Sequence, residues 1–168
     1  FAANNLPGAL SVIAIAGKSN LFNAPETYMN KISANIKENN VIDLDFSIKD
    51  NIHNLCEYKN KKPNDLTACL LDRPRHKEII NELKTLGINL KLITDGDVSG
   101  ALLVTDDKYN VDLFLGVGGG PEGVLAASAL DAYNCFFQGK FIFDTDKDKL
   151  RAKEMGIKDY NKKYELNK

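Results

Sequence analysis

Apolar and polar positions follow two regimes along this chain. From residue 66 onward the rhythm is regular. Residues 66–71 form an apolar run of strand length, and residues 75–86 carry Ile79, Ile80, Leu83 and Leu86 at helical spacing, ended by Gly87. Residues 90–94 and 112–117 read as further strands, and a short helix is expected from Val98. Residues 124–132 are apolar nearly all round, the pattern of a buried helix. Residues 140–143 predict a last short strand, and residues 146–155 an exposed helix with Gly156 after it. Before residue 66 the pattern is looser. Residues 9–16, apolar and β-branched after Pro7-Gly8, predict a strand, and Gly17-Lys18-Ser19-Asn20 a turn. Asn23-Ala24-Pro25-Glu26 predicts a helix start, leading into a short segment with Tyr28, Met29 and Ile32. Residues 37–64 are rich in Asn and Lys and hold one helical candidate, 48–58, with Ile48, Ile52 and Leu55 on one face.

Strand–helix alternation predicts an α/β sheet whose functional loops lie at strand ends. Three segments sit just after strands: Leu71-Asp72-Arg73-Pro74-Arg75-His76, Leu92-Ile93-Thr94-Asp95-Gly96-Asp97-Val98, and Gly116-Val117-Gly118-Gly119-Gly120-Pro121-Glu122-Gly123. In such a sheet these ends gather on one side, so residues far apart in sequence can share a pocket.

Each segment has a plain structural explanation and a chemical one. Arg73 and Arg75 flank a rigid proline, and their forked donors match phosphate oxygens. They could equally be solvated partners of Asp72 and Glu78. Asp95-Gly96 favours a tight turn and Asp97 is a good N-cap, while both carboxylates could accept hydrogen bonds from sugar hydroxyls or hold a metal. The glycines allow close backbone approach, Pro121 suits a first helical turn, and the helix start favours anions. Glu122 either complements the helix dipole or holds a cation or hydroxyl. His76 and His53 read as capping or surface residues. The glycine loop is not a dinucleotide fingerprint, because Pro121-Glu122 interrupts it, and it lacks the Gly-Lys-Ser/Thr of a P-loop.

Composition narrows the classes. The chain has 168 residues, 43% hydrophobic and 27% charged, enough for one sizeable core. A net charge of −1 gives no reason to expect nucleic acid or an anionic membrane as partner. No apolar run is long enough to span a bilayer. Cys56, Cys69 and Cys135 are odd in number and widely spaced, so neither a disulfide framework nor a Cys-x-x-Cys site is expected, and Cys69 reads as a core thiol in a reducing cytosol. The chain opens on Phe1 and is expected to start inside a longer product.

Taken together, the Asn23–Met29 segment, Arg73-Pro74-Arg75-His76, Asp95-Gly96-Asp97-Val98 and Gly118-Gly119-Gly120-Pro121-Glu122-Gly123-Val124-Leu125-Ala126-Ala127 resemble the GlpX-type class II fructose-1,6-bisphosphatases in order and spacing. The resemblance is weakest over residues 37–64 and after Phe143. It implies a lithium-sensitive sugar phosphatase: a layered α/β sandwich, its mixed and mostly parallel sheet flanked by helices. Residues 1–168 would be one domain, the C-terminal substrate-binding part of a bipartite enzyme cut at both ends. It implies that Tyr28, Arg73, Pro74, Arg75, Asp95, Gly96, Asp97 and Gly119 contact substrate and that Glu122 is a ligand of Mg²⁺ or Mn²⁺. The remaining metal carboxylates, with an Asp-Pro-Ile-Glu-Gly-Thr motif, would precede Phe1, so no catalytic residue is expected in this chain and it should be inactive alone. The intact enzyme would be a cytoplasmic hydrolase of gluconeogenesis, removing the 1-phosphate of fructose 1,6-bisphosphate. Sedoheptulose bisphosphate stays open as substrate. The partners implied are the sugar bisphosphate and a second copy of the chain, with no nucleic acid and no membrane. The rival readings are a non-catalytic sugar-phosphate-binding module and a nucleotide-binding domain.

Overall fold

A charged residue in an apolar run conceals the strand at the middle of the sheet. Tyr28–Ala34 form β1, buried at Met29 and from Lys31 to Ala34, where a helix start had been expected. Pro25 and Glu26 suit a first helical turn. The side chains beyond them alternate across a sheet instead, Met29, Lys31 and Ser33 on one face and Ile32 and Ala34 on the other. The computed structural model describes residues 9–18 and 20–166.

The remaining elements follow in chain order: α1 (Ile48–Lys59), β2 (Thr67–Leu71), α2 (Lys77–Thr85), β3 (Asn89–Ile93), α3 (Asp97–Leu102), β4 (Leu113–Gly119), α4 (Gly120–Ala132), β5 (Phe136–Ile142), α5 (Asp146–Glu154) and β6 (Lys163–Glu165). The six strands form one sheet in the order β3-β2-β4-β1-β5-β6. Strands β2, β3, β4 and β5 run one way, and β1 and β6 run against them. The sheet is therefore mixed and mostly parallel, as the α/β reading required.

Helices cover both faces. On one, Ile52 and Leu55 of α1 and Ile80 and Leu83 of α2 pack on Ile32, Ala68, Leu70, Leu113 and Leu115. On the other, Ala101, Val104, Ala126, Leu130 and Ala152 pack on Met29, Cys69, Phe114, Phe137 and Phe141. Cys69 lies in this second core, and burial pushes its thiol up to about 11, so it stays protonated. Ser47 caps α1 by accepting from the Asp50 amide (3.0 Å), and Thr145 and Asp148 form a capping box on α5. Gly87 and Gly156 follow α2 and α5 as expected, both at positive φ.

Several expectations change. Residues 9–16 form no strand among the described residues, and their apolar side chains face outward, Ile13 81% and Ile15 86% exposed. A β-branched run becomes a strand only where a neighbouring edge accepts its backbone hydrogen bonds. The turn that follows closes with Asn20 N–H on Gly17 O (3.0 Å), its Ser19 outside the described residues, as are Pro7-Gly8. The glycine segment is not a loop. Strand β4 runs through Gly119 and α4 begins at Gly120 without a connection. Strand β6 carried no pattern long enough to read. No helix among the described residues is long and apolar enough to cross a membrane.

Candidate functional site

Strand direction assembles the site. Because β2, β3 and β4 are parallel, the segments that follow them meet at one rim of the sheet. The antiparallel β1 starts where β4 ends, with Tyr28 opposite Gly119. A cleft of about 500 Å³ opens there, lined by Arg73, Arg75, Asp95, Gly96, Asp97, Gly119 and Glu122 among others. Tyr28 and Glu122 also border an adjoining hollow of about 690 Å³. Of the nine residues given a substrate or metal role from sequence, only Pro74 lies outside both hollows. It opens the tight turn Pro74–His76 and holds its two arginines apart.

The arginines are fixed differently. Arg75 donates from Nε to the Val117 carbonyl (2.9 Å) and its guanidinium lies 5.1 Å from the centre of the Tyr28 ring. Arg73 stands 3.8 Å from Asp95, both well exposed. Such a pair is worth well under about 1 kcal/mol and holds neither side chain firmly. Gly96 takes a left-handed conformation (φ 93°) and is itself the N-cap of α3. Asp97 is therefore the first residue of the helix and not its cap, as the sequence had suggested. Its carboxylate turns inward and pairs through Oδ2 with Lys31. Its Oδ1 is buried and has no hydrogen-bond partner among the described residues.

Two residues that sequence reasoning passed over shape this rim. His76, read as a capping or surface histidine, is fully buried. The β2–β4 ladder reaches only Cys69 and Phe114, and beyond it the imidazole fills the gap. Nδ1 lies 2.7 Å from the Leu71 carbonyl and Nε2 accepts from the Val117 amide (2.8 Å). A carbonyl only accepts, so the proton sits on Nδ1 and the ring is neutral. Gly116 makes room: at φ 145°, a Cβ there would lie 3.1 Å from the ring. The other is Lys31, fully buried on β1. Burial pushes its ammonium below the usual 10.5, while Asp97 and, more weakly, Glu122 pull it back up. No spacing marked His76. Lys31 could have been found from its parity with Met29 and Ser33, had the segment been read as a strand.

Glu122 is exposed at the start of α4. Mg²⁺ and Mn²⁺ require several hard oxygen ligands. Among the described residues no three His, Cys, Asp or Glu side chains gather to hold an ion. Glu122 offers one exposed carboxylate at this rim, short of the several oxygens such an ion needs.

Two arginines, the exposed Asp95, the largely enclosed Asp97 and Glu122 are thus pooled at one rim of a mixed α/β sheet. The chain belongs to the family described as bacterial fructose-1,6-bisphosphatase, glpX-encoded, which matches residues 1–168. It is 35% identical over 96% of its length to the D-fructose 1,6-bisphosphatase class 2/sedoheptulose 1,7-bisphosphatase of Synechococcus elongatus, covering 50% of that protein. Proteins of the same name in Trichodesmium erythraeum and Crocosphaera subtropica are 35% and 36% identical over 94% of the chain, which covers 49% of each. The chain thus spans about half the length of the curated relatives it matches.

Proposed function

We propose that this chain is the substrate-binding part of a sugar-bisphosphate phosphatase that acts on fructose 1,6-bisphosphate. One observation carries the reading: Arg73, Arg75, Asp95, Asp97 and Glu122, spread over 50 positions of sequence, line a single cleft. In this reading Arg73 and Arg75 grip the phosphate away from the reacting end, with Tyr28 stacked against Arg75. Asp95 and Asp97 accept hydrogen bonds from sugar hydroxyls, and the Gly119 backbone lies against the ligand. Glu122 contributes one oxygen to a Mg²⁺ or Mn²⁺ whose other ligands come from outside these 168 residues. The whole enzyme would be a cytoplasmic hydrolase of gluconeogenesis.

Two measurements on the isolated chain test this division of labour. Calorimetric titration with fructose 1,6-bisphosphate should give saturable one-site binding. Phosphate release with Mg²⁺ or Mn²⁺ added should stay at the rate of the uncatalysed control. Absence of binding removes the clamp from the account, and metal-dependent release shows that the chain holds its own catalytic centre.

A further inference from the structure

A charged side chain is tolerated in a core only when its path and partner are built for it. Lys31 has both. On β1 it lies opposite Gly116 of β4 on one side and Gly139 of β5 on the other, so neither neighbouring strand places a side chain beside it. Above it, α4 passes at Gly123, where a Cβ would come within 3.2 Å of the lysine Cε. Gly123 leaves room for the end of the methylene stem, and the ammonium beyond it meets Asp97 Oδ2. Arg75 and Glu122 also act on it electrostatically. Lys31 does not line the cleft, but Asp97 does.

We infer that Lys31 is a positioning residue for sugar recognition, acting through Asp97. The inference rests on the sugar-bisphosphate reading above and assigns a mechanism to one part of it. By engaging Oδ2, Lys31 fixes the carboxylate in one orientation and leaves Oδ1 as an acceptor with spare capacity. Oδ1 has no partner among the described residues and is closed to solvent, so a sugar hydroxyl that completes it must press into the wall of the cleft at Asp97. The phosphates are left to Arg73 and Arg75. The chain would thereby separate sugar bisphosphates from other bisphosphates of the same span.

The test compares two ligands of like charge. Fructose 1,6-bisphosphate carries hydroxyls between its phosphates; hexane-1,6-diyl bisphosphate carries none. Each is titrated calorimetrically into the chain and into Lys31→Met, with circular dichroism to confirm folding. Affinity for the sugar bisphosphate should fall by about tenfold or more, the scale of a charge-assisted hydrogen bond. Affinity for the hexane compound should change by less than about threefold, because its contacts are with arginine. An equal loss for both ligands, or no loss for either, overturns the role of Lys31 while leaving the clamp standing. Failure of the unaltered chain to bind either ligand overturns the sugar-bisphosphate reading and this inference with it. Lys31→Met leaves a buried carboxylate unpaired and could unfold the chain. In that event Lys31→Met/Asp97→Asn is compared with Asp97→Asn. Matching affinities for both ligands support action through Asp97, because residues acting as one unit are not additive. A further loss in the double variant overturns it.

Discussion

Strand β4 has a lysine-paired carboxylate near each end, and the two are finished differently. Asp112, just before β4, accepts from Lys59 (2.9 Å) and Lys61 (2.8 Å) on Oδ1 and from the Thr67 amide (3.0 Å) on Oδ2. Asp97, packed beside Gly118 near the other end, has Lys31 on Oδ2 and, among the described residues, no partner on Oδ1. Burial does not separate them, since both side chains are largely enclosed, 5% and 11% exposed. What separates them is completeness. A satisfied buried carboxylate ties elements together, and Asp112 joins the end of α1 to the starts of β2 and β4. An unsatisfied one costs stability where it stands and is retained where a ligand completes it. In the proposed reading, one end of β4 serves stability and the other binding.

Removing Asp112 should break this contrast most visibly. Asp112→Ala leaves the Thr67 amide without its partner and frees two lysines near the core, a loss of about 3 kcal/mol in urea unfolding. Binding of fructose 1,6-bisphosphate, measured under conditions where the variant is folded, should stay within about twofold. A matching loss of binding would mean that the two ends are not independent.

Arg75 gives the mirror experiment. Arg75→Ala should weaken fructose 1,6-bisphosphate binding by about 1.5–3 kcal/mol, the range for a hydrogen bond to a charged group. The same variant should change the free energy of urea unfolding by less than about 0.5 kcal/mol, because the side chain is exposed. If stability falls and binding holds, Arg75 serves the fold and not the ligand.

The smallest effect is in acid. Burial raises the Asp112 pKa, but hydrogen bonds from Lys61, Lys59 and the Thr67 amide outweigh it and hold the carboxyl below its ordinary 3.8. A lowered folded pKa contributes stability that is complete above the unfolded value and is lost as pH falls through the folded one. The chain should therefore lose stability on acidification below about pH 4. Asp112→Asn, compared by urea unfolding at pH 6 and pH 3, should show a shallower decline. An unchanged slope assigns the acid sensitivity elsewhere, with Asp43, also held low against its burial by Lys163 and Gln138, as the next candidate.

The two ends also differ in how readily the sequence revealed them. The binding rim was legible because it is made of local motifs after parallel strands: Arg73 to Arg75, Asp95 to Asp97 and Gly118 to Glu122 each sit within a few residues, and strand direction brings them together. What hides is non-local. Lys31 meets Asp97 across 66 positions, and His76 meets Val117 across 41. No window of sequence contains either pair. The strand holding Lys31 was misread because Pro25-Glu26 mimics a helix start, and residues 9–16 because apolar character was taken for a sheet partner. The helices from α1 onward were readable from apolar spacing, with Gly87 and Gly156 marking the ends of α2 and α5.

The most direct test of a binding end and a stability end on one strand is a crystal structure of the chain soaked with fructose 1,6-bisphosphate. The account predicts one phosphate between Arg73 and Arg75, a sugar hydroxyl hydrogen-bonded to Asp97 Oδ1, and Asp112 with its three donors unchanged. A ligand bound away from this cleft, or seated in it with Asp97 Oδ1 still unengaged, would contradict it.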